Sequence, residues 1–485
     1  MSTDPASLRA AARDLEKEGS MGEALVQAWA AFDADPSDPD TRTMLAHLLQ
    51  HVRTNDTRGR TEALHMLIAD PGIDPRSVAL VCWQHLTDEV RFFDDVSEST
   101  LADKIEDSEF VRELLKAFYV PSLVAEKHLT ALRRWLLMSD AWAAYPQTVA
   151  AMAETTRLNQ GAWLFDADER ARLSALHDSP IAQTYQPRTN AFRASSGFDA
   201  DVTNAVAGQY EGWPYPVWTR INRNLANRRG SRFPSGEPLT LPDGARILAA
   251  GCGTGREAAL AATTYPNAQV TAIDISDASL AYARERCATL GITNIDFRKH
   301  DLNRVADLGM TFDFIVTSGV LHHLPSPEAG WAALRDVLKP GAPLRIMVYS
   351  KVARLNVAAG RAFIGDLARQ PVNDDMLRAV RAHLIGLGRM SFLRSFDFFT
   401  LGGVKDLYLH EHEDPFDIRR IQRTVDALDM EFLGFGFPDM AAQRRYMDMA
   451  PHDTAFRDFD SWSKYERAYP FTYAGMYRFW CARRG

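Results

Sequence analysis

A glycine-rich run at residues 251–255, Gly-Cys-Gly-Thr-Gly, carries the strongest chemical signal in the sequence. It joins a predicted buried strand to a predicted helix. Glycines let the backbone turn tightly and approach a ligand closely, and the N–H groups at the start of a helix favour negative charge. The spacing is G-x-G-x-G and differs from the dinucleotide-binding G-x-G-x-x-G. Taken alone, the run fits either a ligand loop or a structural turn.

Polar residues follow the next three predicted strands as well. Asp274 ends the second strand, 19 residues after Gly255, where its carboxylate can accept hydrogen bonds from both hydroxyls of a ribose. Asp301 follows the third strand, and Ser318 begins a Ser-Gly-Val-Leu-His-His run after the fourth. The carboxyl ends of parallel strands meet at one edge of a sheet, where open α/β sheets bind ligands. We therefore expect one ligand site at this edge.

The segments ILAAGCGTG, AIDIS, KHDL, FDFIVTSGVLHHL and LKPGAPL, in this order, resemble the class I S-adenosylmethionine-dependent methyltransferases. The resemblance implies a doubly wound, seven-stranded, Rossmann-like sheet that ends in an antiparallel hairpin. It also implies S-adenosyl-L-methionine as cofactor and S-adenosyl-L-homocysteine as product. The implied cofactor positions are Gly251, Gly253 and Gly255 for the methionine part, Asp274 with its neighbour Ile275 for the ribose, Asp301 and Leu302 for the adenine, and Ser318 and Gly319 for the sulfonium end.

One position departs from that family. Its members usually have Asp or Glu two residues before the first glycine, and this sequence has Ala249 there. In the family this acid commonly helps to place the methionine end of the cofactor. We expect altered contacts at that end and an otherwise intact pocket.

Candidate groups for proton transfer and for acceptor contact flank the glycine run. His322 and His323 follow the fourth strand, and a histidine pKa suits a general base at neutral pH. Packing and hydrogen bonding are the alternative explanation for both. The stretch 209–222 precedes the first strand, and its Tyr210 and Tyr215 could present aromatic faces to a sulfonium or a cationic acceptor, worth about 0.5–2 kcal/mol. Trp213 and Trp218 of the same stretch are candidates for the same contact, and a packed proline–aromatic joint explains the stretch equally well.

The densest group of titratable residues is His410, His412, Glu413 and Asp414, just before Pro415. An exposed polar turn is the first interpretation, a substrate-facing base the second, and a metal site on a shared strand face the third. We assign no metal site to the chain.

The elements that must position these residues alternate strand and helix from residue 245 onward. Strands are predicted at 245–250, 268–274, 294–300, 312–318 and 343–350, with closing strands at 430–437 and 474–482. This pattern calls for a parallel sheet with helices on both faces. We therefore expect the methyltransferase domain at 241–350 and 430–485, with a helical insertion or lid at 351–429.

The N-terminal part of the chain differs in character. Residues 1–150 read as successive helices, and Ala24, Ala28 and Ala31, followed by Pro36, resemble the second helix of a tetratricopeptide repeat and its terminating proline. We expect a helical, repeat-like domain there, of a type found in bacterial methyltransferases, and a connecting cap at 151–240.

Composition limits the remaining possibilities. The 485 residues carry a net charge of −8, which disfavours a nucleic-acid acceptor. No apolar stretch reaches the roughly 18 residues that a membrane helix needs. The widely spaced cysteines form no disulfide framework, and no secretory h-region is visible, so we expect a cytoplasmic protein.

The leading hypothesis is a methyltransferase that acts on a protein, a peptide or a small molecule, with a homodimer as one role for the N-terminal helices. The alternative hypothesis is a catalytically inactive, cofactor-binding scaffold or interaction protein. A nicotinamide dehydrogenase is a third reading, which the glycine spacing disfavours.

Overall fold

The structure is a computed structural model that describes residues 4–51, 57–185, 202–223, 231–388 and 395–485. The chain forms two compact units. We call the first the helical unit, which comprises Met1–Asn190, Val217–Asn222 and Gly360–Leu409. We call the second the sheet unit, which comprises Ala191–Pro216, Arg223–Ala359 and His410–Gly485.

The elements follow one another in a simple order, with helices first and the strands gathered in the second half of the chain. The α-helices are α1 Pro5–Glu18, α2 Met21–Ala34, α3 Pro39–His51, α4 Thr61–Ala69, α5 Ala79–Gln84, α6 Glu98–Asp107, α7 Glu109–Ala117, α8 Leu123–Met138, α9 Pro146–Asn159, α10 Ala167–Ala175, α11 Val202–Gly212, α12 Arg256–Thr264, α13 Asp277–Thr289, α14 Pro327–Asp336, α15 Leu355–Ile364, α16 Asp374–Gly386, α17 Leu401–Tyr408, α18 Ile418–Ala427, α19 Met440–Met449 and α20 Phe459–Ala468. The strands are β1 Arg246–Ala250, β2 Gln269–Asp274, β3 Ile295–Lys299, β4 Phe314–Ser318, β5 Pro343–Val348, β6 Met430–Gly436 and β7 Tyr477–Arg483.

The first helices pack through small residues, as the sequence predicts. Ala24, Ala28 and Ala31 of α2 are fully buried. Helix α2 ends at Ala34, because the residue before Pro36 is restricted to extended backbone. The helical character of the N-terminal region is confirmed.

A buried ion pair joins distant segments within the helical unit. Arg381 of α16 donates from both terminal nitrogens to the two carboxylate oxygens of Glu126 in α8, and its Nε donates to the carbonyl oxygen of Phe398 at 2.9 Å. Arg378 donates to the carbonyl oxygen of Gly161 at 2.7 Å. The sequence region after β5 therefore completes the interior of the helical unit.

The sheet of the second unit has seven strands in the order β3-β2-β1-β4-β5-β7-β6. Strands β1 to β5 run parallel, whereas β7 runs antiparallel to β5 and β6 antiparallel to β7. This confirms the predicted doubly wound fold, its closing hairpin and a mostly helical insertion after β5. Buried clusters cover both faces, one around Trp331 and Phe479 and the other around Phe314 and Trp480.

Two sequence segments are shared between the units. Of residues 351–429, the part at 360–409 groups with the helical unit and the rest with the sheet unit. Of residues 151–240, the parts up to 190 and at 217–222 group with the helical unit. Among the described helices, none has both the length and the apolar character needed to cross a membrane.

Candidate functional site

The glycine run forms a tight loop between β1 and α12. Gly251, Gly253 and Gly255 have φ angles of 65°, 50° and 85°, the left-handed region that side chains disfavour. A Cβ atom on Gly255 would lie 2.6 Å from the Cβ of Ala283, and one on Gly251 would overlap the side chain of Val320. Glycine is therefore required both by the backbone conformation and by the space around the loop.

Asp274 holds this loop against the end of β2. Its carboxylate accepts the Gly253 N–H at 2.7 Å and the Ser276 N–H at 3.0 Å. Burial raises the pKa of Asp274, while these backbone hydrogen bonds oppose the rise. A carboxylate has about four acceptor positions, and backbone N–H groups of Gly253, Ile275 and Ser276 lower the pKa of Asp274, so acceptor capacity remains for a ligand at about one position. Asp274 therefore lies beside the glycine run, where the sequence predicts it.

Glu211, at the end of α11, is a site residue that sequence reasoning missed. Its carboxylate accepts backbone N–H groups at the start of α13, from Asp277 and, at 3.1 Å, from Ala278. A negative charge is favourable at a helix N-terminus. The two residues are more than sixty positions from Glu211 in sequence, so no local pattern signals the contact.

The proline–aromatic stretch reaches the glycine run through its backbone. The hydroxyl of buried Thr254 donates to the carbonyl oxygen of Pro216 at 2.5 Å. The carbonyl oxygen of Tyr215 lies 3.2 Å from the position that a Cβ on Gly253 would occupy. The backbone before Val217 therefore forms one wall of the loop, while Trp218 is buried and groups with the helical unit.

The adenine positions implied by the resemblance lie after β3. The carboxylate of Asp301 accepts the Asn303 N–H at 2.8 Å and caps the short helical turn Leu302–Leu308. The side chain of Leu302 is buried with the core around Trp331. In this structure Asp301 and Leu302 therefore shape the end of β3 through a cap and a core contact.

The end of β4 is tied to β5. The hydroxyl of Ser318 donates to the Sδ atom of Met347 at 3.3 Å, and the Gly319 N–H donates to the Met347 carbonyl oxygen at 3.0 Å. A Cβ on Gly319 would meet only the Sδ atom of Met476, at 3.8 Å. Ser318 and Gly319 thus border the same strand edge as the glycine run.

His322 is fully buried and held by its backbone neighbours. Its Nδ1 accepts the Tyr349 N–H at 3.2 Å, which places the proton of the neutral ring on Nε2. Burial, followed by the charges of His323, His410 and Arg354, holds the pKa of His322 well below its usual value. The one lone pair of the neutral ring is thus already in use, and the geometry favours a structural role over that of a base.

His323 keeps a lone pair that no described hydrogen bond uses. Its Nδ1 donates to the carbonyl oxygen of His412 at 2.8 Å, so Nε2 is the acceptor nitrogen of the neutral ring. Burial lowers the pKa of His323 to about 4. The ring stacks on that of His410 with 3.7 Å between centroids, and the Nε2 of His410 lies 3.2 Å from the Tyr210 hydroxyl oxygen. The structure therefore brings together Tyr210 and His323 through His410.

The turn before Pro415 is half-buried, which corrects the expectation of an exposed polar turn. Glu413 and Arg354 form a two-pronged ion pair, with Arg354 Nε 2.7 Å from a Glu413 carboxylate oxygen. Both side chains are less than 10% exposed. The Asp414 N–H donates to the His322 carbonyl oxygen at 2.8 Å. This segment therefore covers the ends of β4 and β5, and sequence reasoning missed its ion pair because the partners are 59 residues apart.

Comparison with known proteins gives this edge of the sheet a chemical class. Residues 247–341 match a family model described as a methyltransferase domain. A Synechococcus protein described as uncharacterized is 32% identical over 284 residues, which cover 55% of this chain and 67% of that protein. The chain therefore belongs to the same protein family as this Synechococcus protein.

Relatives with named activities match a shorter region. A trans-aconitate 2-methyltransferase of Variovorax paradoxus is 33% identical over 110 residues, 23% of this chain and 40% of that enzyme. A ubiquinone biosynthesis O-methyltransferase of Dinoroseobacter shibae is 31% identical over 145 residues, 30% of this chain and 55% of the enzyme. The chain thus spans about half the length of these enzymes or less. The matched region is a methyltransferase domain.

Among solved structures, PKMT2 from Rickettsia typhi in complex with AdoHcy aligns with a TM-score of 0.38 at 14% identity. The alignment covers 54% of this chain and 52% of that one. A similarity at this level is too weak to transfer a function.

Proposed function

We propose that this protein is an S-adenosyl-L-methionine-dependent methyltransferase that releases S-adenosyl-L-homocysteine. The observation that carries the proposal is the glycine loop held by Asp274, inside the matched domain at residues 247–341. The carboxylate of Asp274 stands at the end of β2, the position from which an acid accepts hydrogen bonds from the hydroxyls of a ribose. The donor set at this strand edge therefore fits the cofactor.

Further residues would complete the donor pocket. Ser318 and Gly319 border the end of β4, where we propose that the sulfonium end lies. Ala249 is buried between its register partners Ala272 and Val316, so no carboxylate occupies that position of β1. The amino-acid end of the donor must therefore find its partners elsewhere.

When bound, the cofactor supplies an electrophilic methyl group on sulfur. The protein then has to hold an acceptor in line with that group, and such positioning can lower a barrier by about 7–11 kcal/mol. At this edge, the lone pair on Nε2 of His323 can accept a hydrogen bond from the group that receives the methyl. Its lowered pKa keeps it neutral at pH 7, so it serves better as a hydrogen-bond acceptor for the substrate than as a strong base.

The acceptor class and the cellular setting are also proposals. A protein, a peptide or a small molecule is the proposed acceptor, and the net charge of −8 disfavours nucleic acid. The N-terminal helices are proposed to be repeat-like, to contact the acceptor or a second copy of the chain, and to work in the cytoplasm of a bacterium.

A catalytically inactive, cofactor-binding scaffold is the second candidate function. Ala249 favours it, because a position that usually carries an acid has lost its charge. Detection of methyl transfer to any acceptor would show that the protein is an enzyme and would exclude the inactive scaffold.

Calorimetric titration of the purified protein tests the donor site. We expect S-adenosyl-L-homocysteine to bind and NAD not to bind. Asp274→Asn should weaken this binding about 10- to 100-fold, because a hydrogen bond to a charged group contributes about 1.5–3 kcal/mol. Asp296→Asn, on the exposed neighbouring strand β3, is the matched control and should bind as the wild type does. If the Asp274 variant binds S-adenosyl-L-homocysteine as tightly as the wild type does, Asp274 is not part of the donor site.

A further inference from the structure

Two arginines lie on one face of the sheet beside the end of β4. In the register of the sheet, Ser318 of β4 pairs with Met347 of β5, and Met347 pairs with Arg478 of β7. One step further into the sheet, Arg345 of β5 pairs with Trp480 of β7. Residues two apart on a strand, and residues directly paired across strands, share a face. Arg345 and Arg478 therefore stand on the same face as Ser318.

The hydrogen bonding of these arginines is incomplete. Arg345 donates to the carboxylate of Glu257, the second residue of α12, at 2.5 Å, while its buried Nε has no partner within the described residues. The side chain of Arg478 forms no hydrogen bond or ion pair with the described part of the chain, whereas its backbone belongs to the sheet. Glu257 therefore pairs with only one of the two guanidinium groups.

The side chain of Arg478 is accessible and lies near a second positive charge. Its side chain is exposed to solvent, in contrast to the buried residues on either side of it in β7. Desolvation by nearby protein, followed by the positive charge of Arg345, nevertheless lowers its pKa. The Arg478 guanidinium is therefore accessible to a ligand and lies within the electrostatic influence of Arg345.

We propose that Arg345 and Arg478 form a carboxylate-binding subsite at the reacting end of the methyl-donor pocket. The inference rests on the proposed function, because it takes Ser318 to mark the sulfonium end. The planar guanidinium fork matches the two oxygens of a carboxylate. Because Glu257 pairs with only one of the two cations, this face keeps an excess positive charge that favours an anionic ligand.

Two sources can supply this carboxylate. One is an acidic acceptor, which would then be oriented with its nucleophile toward the sulfonium end. The other is the amino-acid end of the methyl donor, whose usual acidic contact is missing at Ala249. In both cases a carboxylate binds the Arg478 guanidinium.

The acceptor source is tested with succinate as the probe and its uncharged diamide, succinamide, as the reference. Succinate is titrated calorimetrically into the full chain, with and without saturating S-adenosyl-L-homocysteine. We expect millimolar binding of succinate alone, weakened about 10- to 100-fold in Arg478→Gln and partly retained in Arg478→Lys. The control Arg457→Gln removes the same charge at the opposite end of the hairpin, where Arg457 pairs with Glu431, and should bind succinate as the wild type does.

The donor source is tested with S-adenosyl-L-homocysteine and its analogue that lacks the carboxylate. If the donor supplies the anion, Arg478→Gln weakens binding of the first compound about 10- to 100-fold and leaves the second unchanged. Because Arg478 is exposed, both variants should unfold within about 2 °C of the wild type. If neither succinate nor S-adenosyl-L-homocysteine binding changes in Arg478→Gln, the subsite is wrong. If S-adenosyl-L-homocysteine fails to bind the wild type, the proposed function is wrong, and the succinate titration still decides the subsite.

Discussion

Arg381 of the helical unit and Arg345 of the sheet unit differ in how completely their guanidinium groups are hydrogen-bonded. In the helical unit, all three nitrogens of the Arg381 guanidinium donate, two of them to Glu126 and one to the Phe398 carbonyl oxygen. In the sheet unit, Arg345 donates to Glu257 but keeps a buried Nε without a partner among the described residues.

Histidines show the same contrast. His85 of the helical unit is buried, and both of its ring nitrogens lie 2.8 Å from threonine hydroxyls, those of Thr57 and Thr61. His322 of the sheet unit is equally buried, but its Nε2 has no partner within the described residues.

We infer from this difference that Arg381 and His85 stabilise the fold, whereas Arg345 keeps a donor for a ligand. A buried donor without an acceptor costs about 1–3 kcal/mol, so native proteins rarely retain one without a use for it. The unpartnered Nε of Arg345 lies on β5, and the unpartnered Nε2 of His322 lies just after β4, on the side of the sheet that carries the proposed active site. The paired groups Arg381 and His85 lie in the helical unit, where they have a structural role.

The largest effect is expected from breaking the paired group. Glu126→Ala leaves the buried guanidinium of Arg381 without its carboxylate, and removing one partner of a buried ion pair destabilises a protein by about 3–5 kcal/mol. Urea denaturation followed by circular dichroism measures the loss. Glu154→Ala, which breaks the exposed pair with Arg157, is the control and should cost less than about 1 kcal/mol. Similar losses of stability in the two variants would contradict a structural role for the Arg381–Glu126 pair.

Acid should weaken the sheet unit through His323. Its pKa is about 4 in the folded protein and about 6.5 in the unfolded chain, so the unfolded chain binds more protons between these values. The stability that the neutral ring contributes is therefore complete above pH 6.5 and is lost as the pH falls to 4, amounting to about 3 kcal/mol.

His323→Gln removes this titration while keeping a side chain that can donate to His412. We expect thermal unfolding midpoints of the variant to fall less steeply than those of the wild type between pH 7 and pH 4. His85→Gln provides the comparison in the helical unit, where burial also lowers the pKa of the replaced histidine. If the unfolding midpoints of the wild type and His323→Gln fall in parallel with pH, the pKa of His323 is not lowered by burial and this prediction is wrong.

The sequence predicts the sheet well because strand pattern is a local property. The predicted strands at 268–274 and 430–437 begin and end within one residue of β2 and β6. The glycine run and Asp274 were found because both stand at the ends of strands, where the alternation itself locates the ligand edge.

The remaining parts of the site depend on contacts between distant segments. Glu211 reaches α13 across 66 positions, and the turn before Pro415 meets His323 across 89. The hydrophobic pattern of neither segment indicates that it lies beside the sheet. The charged residues before Pro415 predict an exposed turn. The ion pair between Glu413 and Arg354 makes the turn half-buried, and its partners are too far apart in sequence for a local pattern to reveal it.

The smallest effect separates two glycines that share a backbone conformation. Gly251 and Gly309 have φ angles of 65° and 63°, but a Cβ would meet Val320 at the first position and nothing within 4 Å at the second. Both alanine variants carry the strain of left-handed backbone, about 1–2 kcal/mol. Gly251→Ala should lose a further 1–3 kcal/mol or so through overpacking, measured as the difference in free energy of unfolding.

The double variant Gly251→Ala, Val320→Ala tests whether this additional loss comes from the side-chain overlap. If it does, removing the Val320 methyl groups recovers most of the difference from Gly309→Ala, and a double-mutant cycle returns a favourable coupling energy between positions 251 and 320. Affinity for S-adenosyl-L-homocysteine should fall in Gly251→Ala and stay unchanged in Gly309→Ala, because only the first glycine belongs to the loop that Asp274 holds. Equal losses of stability and affinity at the two positions would mean that conformation alone selects these glycines and that the loop is not shaped for a ligand.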